Sequence, residues 1–144
     1  MAFFENLDDA ANWNPLKKGS VKMLTKPETK LKYVSSVDIG KGLAALVMDS
    51  KKYKGKTIEF AMGEYTGTEL AESLSEASGV PCKFSTAMPR LILYLFMWDL
   101  WHMVKFFEDA GFSASIEESK KLVPDGMDAK AWFESKGVAK WKDE

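Results

Sequence analysis

The stretch Leu31-Lys32-Tyr33-Val34-Ser35-Ser36-Val37-Asp38-Ile39-Gly40-Lys41-Gly42-Leu43-Ala44-Ala45-Leu46-Val47-Met48-Asp49 changes its period midway. Tyr33, Val34 and Val37 favour a pleated, half-buried chain, so a strand is expected over 31–37. Ile39, Leu43, Leu46 and Val47 then fall on one face of a helix running to about Asp49. Asp38 stands at the junction. A carboxylate there can accept the orphan N–H groups of a helix start, which makes it the expected N-cap. A strand feeding straight into a helix is the repeating unit of an α/β fold.

The same alternation continues on both sides. Upstream, Val21 to Leu24 suits a strand, and Lys26-Pro27-Glu28-Thr29 a turn. Residues 1–20 are rich in loop formers (Asn6, Asp8, Asp9, Asn12, Asn14, Pro15, Gly19) and read as a docking arm anchored by Phe3, Phe4 and Trp13. Downstream, Lys51 to Gly55 is a basic connector, followed by a strand over Lys56 to Ala61 that Gly63 ends. Thr66 or Thr68 caps a helix whose stripe is Leu70, Ala71, Leu74 and Ala77; Gly79 closes it, and Pro81 follows. Val80 to Thr86 is the next strand. Pro89 suits the first turn of a long helix, Arg90 to Ala110, closed by Gly111. A helix at Ile116 to Leu122, a Pro124-Asp125-Gly126 turn and an Asp128-capped helix to about Lys136 complete the chain, with Trp132, Phe133 and Trp141 as apolar contacts. The expected fold is α/β: a small sheet of short strands with flanking helices and a helical C-terminal tail, all in one domain, 1–144.

Composition narrows the functions. The 144 residues are 46% hydrophobic and 28% charged, which suits one globular domain rather than a disordered chain. The net charge is -1, and Arg90 is the sole arginine. Nucleic-acid sites favour arginine forks, so no nucleic-acid partner is expected. One cysteine, Cys82, permits no intrachain disulfide, and one Cys with one His leaves no structural zinc set. Cys82 has no base near it in sequence and reads as buried and inert. The run Leu91 to Trp98 is apolar all round, but Asp99, His102 and Lys105 interrupt it well short of the ~20 residues a span needs. It is expected to be a buried or interface helix, with no membrane partner. The first residues have no basic n-region and no long apolar stretch, so a cytoplasmic setting is expected.

Four segments, in order, resemble the NmrA-like family of atypical short-chain dehydrogenase/reductase proteins. Phe3-Phe4-Glu5-Asn6-Leu7 is similar to that family's aromatic-Phe-Glu-Asn segment, which follows its nucleotide-binding half. Val37-Asp38-Ile39-Gly40, and then Tyr53-Lys54-Gly55-Lys56-Thr57-Ile58, resemble its Asp-Ile-Gly and Tyr-x-Gly-Lys-x-Ile steps. Asp99-Leu100-Trp101-His102-Met103-Val104-Lys105-Phe106 resembles its Asp-Leu-Ala-Asn-Met helix, and Trp132 its closing tryptophan. The resemblance implies the C-terminal, substrate-side half alone. The family's G-x-x-G-x-x-G turn, which brings backbone N–H groups to a pyrophosphate, has no counterpart in this sequence. Gly40-Lys41-Gly42 lies inside a helix start and reads as helix packing. Tyr53 is followed by Thr57 where a Tyr-x-x-x-Lys pair would place a lysine. NADPH is therefore not expected to bind in the family's usual way, no cofactor is assigned, and autonomous NADPH-dependent reduction is not expected.

Two functions compete. One is a non-catalytic ligand-binding or regulatory interaction module, pairing with itself as a homodimer or with a full-length NmrA-like relative. The other is a stand-alone, cofactor-independent isomerase, cyclase or lyase. For the latter, Asp99 and His102 lie three apart on one helix face, where a carboxylate could orient the imidazole, with Tyr94 beside them. Met97, Trp98 and Trp101 would wall a pocket for an apolar small molecule, and the resemblance brings Phe3 and Phe4 to the same cleft. The plainer reading makes the dyad a polar stripe and the aromatic residues core.

Overall fold

Helix starts and stops set the architecture. The computed structural model describes residues 2–9 and 16–142; the expected anchor Trp13 lies outside them. The first strand, β1 (Ala2–Phe3), runs parallel to β3 (Leu31–Val34), which pairs antiparallel with β4 (Gly63–Tyr65). A second, two-stranded parallel sheet joins β2 (Ser20–Met23) to β5 (Lys83–Thr86), register Val21 to Phe84. The α/β class is as expected, but the strands divide into two small sheets.

The strand-to-helix junction differs from the sequence reading by one turn. Helix α1 (Ser36–Met48) begins after Ser35, whose hydroxyl accepts the Asp38 N–H at 3.0 Å. Ser35 is thus the cap, and Asp38 lies within the first turn, fully buried. Its carboxylate accepts from the Ser35 hydroxyl (2.8 Å) and from the Met127 N–H (2.9 Å). That second bond ties α1 to the turn after α6 (Ile116–Leu122). Gly42 packs on Phe60: a Cβ there would fall 2.5 Å from the ring. Gly40 faces open space.

No strand forms over 56–61, because that segment's hydrogen bonds go elsewhere. The Ala61 N–H donates to the Ser119 hydroxyl and the Met62 N–H to the Tyr33 carbonyl. Gly63 begins the strand β4 rather than ending one. A short helix, α2 (Ser50–Tyr53), occupies the basic connector.

Helix α3 (Gly67–Ser78) follows its sequence signals closely. Thr66 and Glu69 form a reciprocal capping box, and Gly79 closes the helix at φ 68°. Its buried stripe packs on α7 (Ala129–Ser135), which Asp128 caps, and on β2 and β5. Leu70, Leu74, Trp132, Phe133 and Val138 make the main core, with Trp141 of the closing 3-10 turn (Val138–Lys142) packed against it. Phe4, at the head of a 3-10 turn (Phe4–Leu7), stacks on Tyr33 at 5.2 Å and on Trp132 at 5.6 Å. Burial there pushes the Tyr33 phenol well above its usual pKa. A smaller core, Val34, Phe60, Met62 and Val123, lies under α1 and α6.

Candidate functional site

The expected long helix is two helices. The first, α4 (Arg90–Phe96), starts after Pro89, and the second, α5 (Trp98–Asp109), starts after Met97. Met97 sits at φ -135°, ψ 61° and serves both: its N–H donates to the Leu93 carbonyl at 3.0 Å, and its carbonyl accepts the Trp101 N–H at 2.9 Å. The chain then folds back. In a continuous helix the 18-residue separation of Arg90 and Glu108 would place them about 27 Å apart. Instead the Arg90 guanidinium donates two bonds to the Glu108 carboxylate, at 2.6 and 3.0 Å. It also lies over the Trp101 ring at 5.0 Å.

This fork braces the hairpin. The Glu108 side chain is 5% exposed and also accepts the Lys26 N–H at 3.3 Å. Burial alone would raise its pKa, but the Arg90 hydrogen bonds prevail and hold it below the usual glutamate range. The Glu108 hydrogen bond raises the Arg90 pKa in turn. Beside this pair opens a polar cleft of about 470 Å³, lined among others by Lys26, Lys32, Glu64, Phe107 and Phe112.

The hairpin brings part of the predicted site together. Tyr94 meets Trp98 at 6.0 Å and Trp101, edge-on, at 5.5 Å; Trp98 meets the His102 ring at 4.4 Å. Met97 is the hinge between the helices. His102 Nδ1 lies 2.9 Å from the Trp98 carbonyl. A carbonyl only accepts, so the contact places a proton on Nδ1. Asp99 and His102 are both exposed, and no hydrogen bond joins them among the described residues. Phe4 is part of the core between Tyr33 and Trp132, and Phe3 is partly exposed on β1.

The burial of the hairpin is unusual for its composition. Leu93 is the one buried residue of α4 and Val104 that of α5. Leu91, Tyr94, Leu95, Phe96, Trp98 and Phe106 are exposed, Phe96 at 80% and Trp98 at 59%. A helix that is apolar all round is stable in water only when something covers it. Sequence reasoning found the wall but missed the Arg90–Glu108 fork, whose only trace was an unpaired lone arginine.

The helix starts are poor sites for a dinucleotide phosphate. At α1 the Ser36 N–H and hydroxyl already donate to the Glu5 carboxylate, at 3.0 and 2.9 Å, and the Asp38 carboxylate is buried in the same turn. Two carboxylates repel a phosphate where the fold class would otherwise seat one. At α3 the capping box takes the Thr66 and Glu69 N–H groups, and Pro89 before α4 has no N–H to offer. The α1 start does not fit the pyrophosphate of a nicotinamide dinucleotide.

Comparison with known proteins accords with this architecture. Two solved structures share the fold: a nucleoside-diphosphate-sugar epimerase from Staphylococcus aureus (21% identity, TM-score 0.57, 78% of this chain and 43% of that one) and a UDP-glucose 4-epimerase from Bifidobacterium longum (14%, 0.50, 86% and 35%). This chain therefore spans less than half the length of either. No curated protein matches. The model of the NmrA-like family matches residues 2–134. With nearly the whole sequence inside that match, the chain belongs to the NmrA-like family.

Proposed function

We propose that this chain is a non-catalytic interaction module of the NmrA-like family that pairs with a second copy of itself through the α4–α5 face. The observation that carries the reading is the hairpin's exposure: α4 is apolar all round, α5 adds the exposed Trp98, Met103 and Phe106, and each helix has one buried residue. Exposed apolar surface on this scale, where contiguous, marks a binding site or an aggregation liability. A two-fold contact would place the same wall against itself, which is the commonest arrangement of homo-oligomers. The nucleotide-binding half of a full-length NmrA-like relative is the other partner such a wall suits. The Tyr94, Trp98 and Trp101 rings at the seam would also suit an apolar small molecule.

The non-catalytic reading is supported by the site itself. His102 is turned to a backbone carbonyl and not to Asp99, and the α1 start already holds the Glu5 carboxylate. The setting we assign is the cytoplasm, consistent with an unpaired Cys82. No helix among the described residues is long and apolar enough to cross a membrane.

Sedimentation equilibrium of the wild type and of Phe96→Asp tests the proposal. Phe96 is exposed, so the substitution leaves the fold intact. The wild type is expected to sediment as a dimer and the variant as a monomer. A monomeric wild type at tens of micromolar would remove the basis for self-pairing.

A further inference from the structure

A second surface, at the corner where α1 meets α2, differs in character from the hairpin. Leu43 and Val47, one turn apart on α1, are 59% and 65% exposed, and Met48 at the helix end is 89% exposed. Directly after them Lys51, Lys52, Lys54 and Lys56 fall within six residues. With Asp49 counted, residues 49–56 carry a net charge of four minus one, or +3, in a chain of net charge -1. None of the four lysines takes part in an ion pair among the described residues, whereas Lys41, Lys105, Lys121, Lys130 and Lys136 all do. The Lys52 and Lys56 ammonium groups lie 5.0 and 5.8 Å from the centre of the Tyr53 ring. Between helix and lysines lies a shallow depression of about 390 Å³, lined by Leu46, Val47 and Ile58 together with Lys51, Lys54 and Lys56.

We infer that this corner is a peripheral contact site for an anionic lipid bilayer, its four lysines facing the headgroups while Leu43, Val47 and Met48 enter the apolar boundary. The charge pattern selects the occupant. A nucleic-acid backbone would use the lysines but leave the three apolar side chains in water. A neutral apolar partner would cover those side chains but strand four ammonium groups. An anionic bilayer presents negative charge above hydrocarbon, in the same order as this surface. The lack of a helix long enough to cross a bilayer among the described residues bears on spanning it and not on lying against it.

The test is co-sedimentation of the full chain with vesicles of phosphatidylcholine, with or without roughly one third phosphatidylserine. Binding is expected only with phosphatidylserine and is expected to weaken as salt rises. Each lysine near the surface contributes about fivefold to partitioning, so the Lys51→Gln, Lys54→Gln, Lys56→Gln variant is expected to lose about a hundredfold. Val47→Ser with Met48→Ser is expected to weaken binding without changing its salt dependence. All five positions are surface-exposed, and circular dichroism confirms that each variant is folded. Equal binding to both vesicle types, or no binding, overturns the inference. So does loss of binding on Phe96→Asp, which would place the contact on the hairpin. Binding to duplex DNA with the same lysine dependence and no effect of Val47→Ser and Met48→Ser would overturn it in favour of a nucleic-acid surface.

Discussion

Replacing Asp38 by alanine should destabilise the fold more than replacing the residue that caps the same helix. The Asp38 carboxylate is fully buried and accepts two bonds, from the Ser35 hydroxyl at 2.8 Å and the Met127 N–H at 2.9 Å. Lys41 Nζ lies 3.6 Å from its other oxygen and also reaches the Asp125 carboxylate at 2.7 Å. Bonds to a buried charged acceptor are worth about 1.5–3 kcal/mol each. Alanine removes both and leaves the Met127 N–H without its partner, so the loss is about 3 kcal/mol or more. At about 3–4 °C per kcal/mol for a chain of this size, the melting midpoint should fall by about 10 °C. Ser35→Ala removes the cap and the hydroxyl donor to Asp38 but leaves the Met127 N–H paired, and should cost about 2 kcal/mol. Asp38→Asn keeps an acceptor for Met127 and should fall between the two. Urea unfolding followed by tryptophan fluorescence measures all three. If Asp38→Ala costs no more than Ser35→Ala, the carboxylate does not fasten α1 to the 125–127 turn and the reasoning fails.

Four further outcomes follow from the same geometry. Glu108→Gln should lower the melting midpoint at neutral pH. Because its folded-state pKa is depressed, the stability that Glu108 adds is present above the usual glutamate range and lost as pH falls through its folded value. The gap between wild type and variant should therefore begin to narrow as pH falls below the usual glutamate pKa of about 4.3 and close only below the depressed folded value; a gap that does not narrow on acidification would contradict the ion-pair account. Gly42→Ala should cost about 1–3 kcal/mol against the Phe60 ring, whereas Gly40→Ala, facing open space, should be neutral or stabilising by up to about 1 kcal/mol; denaturant midpoints that rank them the other way would refute the packing. His102→Ala should leave the oligomeric mass and the fold unchanged, as measured by gel filtration and near-ultraviolet dichroism, since its one polar contact is to the Trp98 carbonyl. Arg90→Lys should loosen the hairpin, because an ammonium cannot reproduce the two-pronged contact with Glu108 while stacking on Trp101; hydrogen exchange across 90–108 should quicken.

Local signals were legible in the sequence where they were chemically redundant. Gly79 with Pro81 and Asp128 each announce a helix end, and both ends fall where expected, while of the two candidate caps Thr66 and Thr68 it is Thr66, paired with Glu69, that starts α3. The α1 start was misplaced because Ser35, Ser36 and Asp38 can all cap, and the choice among them is made by Met127, 89 residues away. The break at Met97 carries no glycine or proline. It goes together with the Arg90–Glu108 pairing across the two helices, a contact that no local pattern encodes. The strand expected over 56–61 has the right alternation, but at its end the Ala61 N–H is taken by the Ser119 hydroxyl, and pairing with β3 begins only at the Met62 N–H. Periodicity misled most at α1 and α4: Leu43, Val47, Leu91 and Leu95 have core-like spacing but face outward. A sequence pattern specifies which face is apolar, and not whether that face is covered within the same chain. Of the candidate site, the sequence located the aromatic wall. The turning of His102 away from Asp99 depends on a rotamer, which spacing does not determine.

The claim that the α4–α5 hairpin is a self-pairing surface is tested most directly by the mass of the protein in solution. Light scattering after gel filtration should give twice the 16.2 kDa chain mass for the wild type. It should give the single-chain mass for Leu95→Asp with Phe96→Asp, with unchanged circular dichroism. A wild type that elutes as a monomer, or a double variant that remains a dimer, would contradict the account.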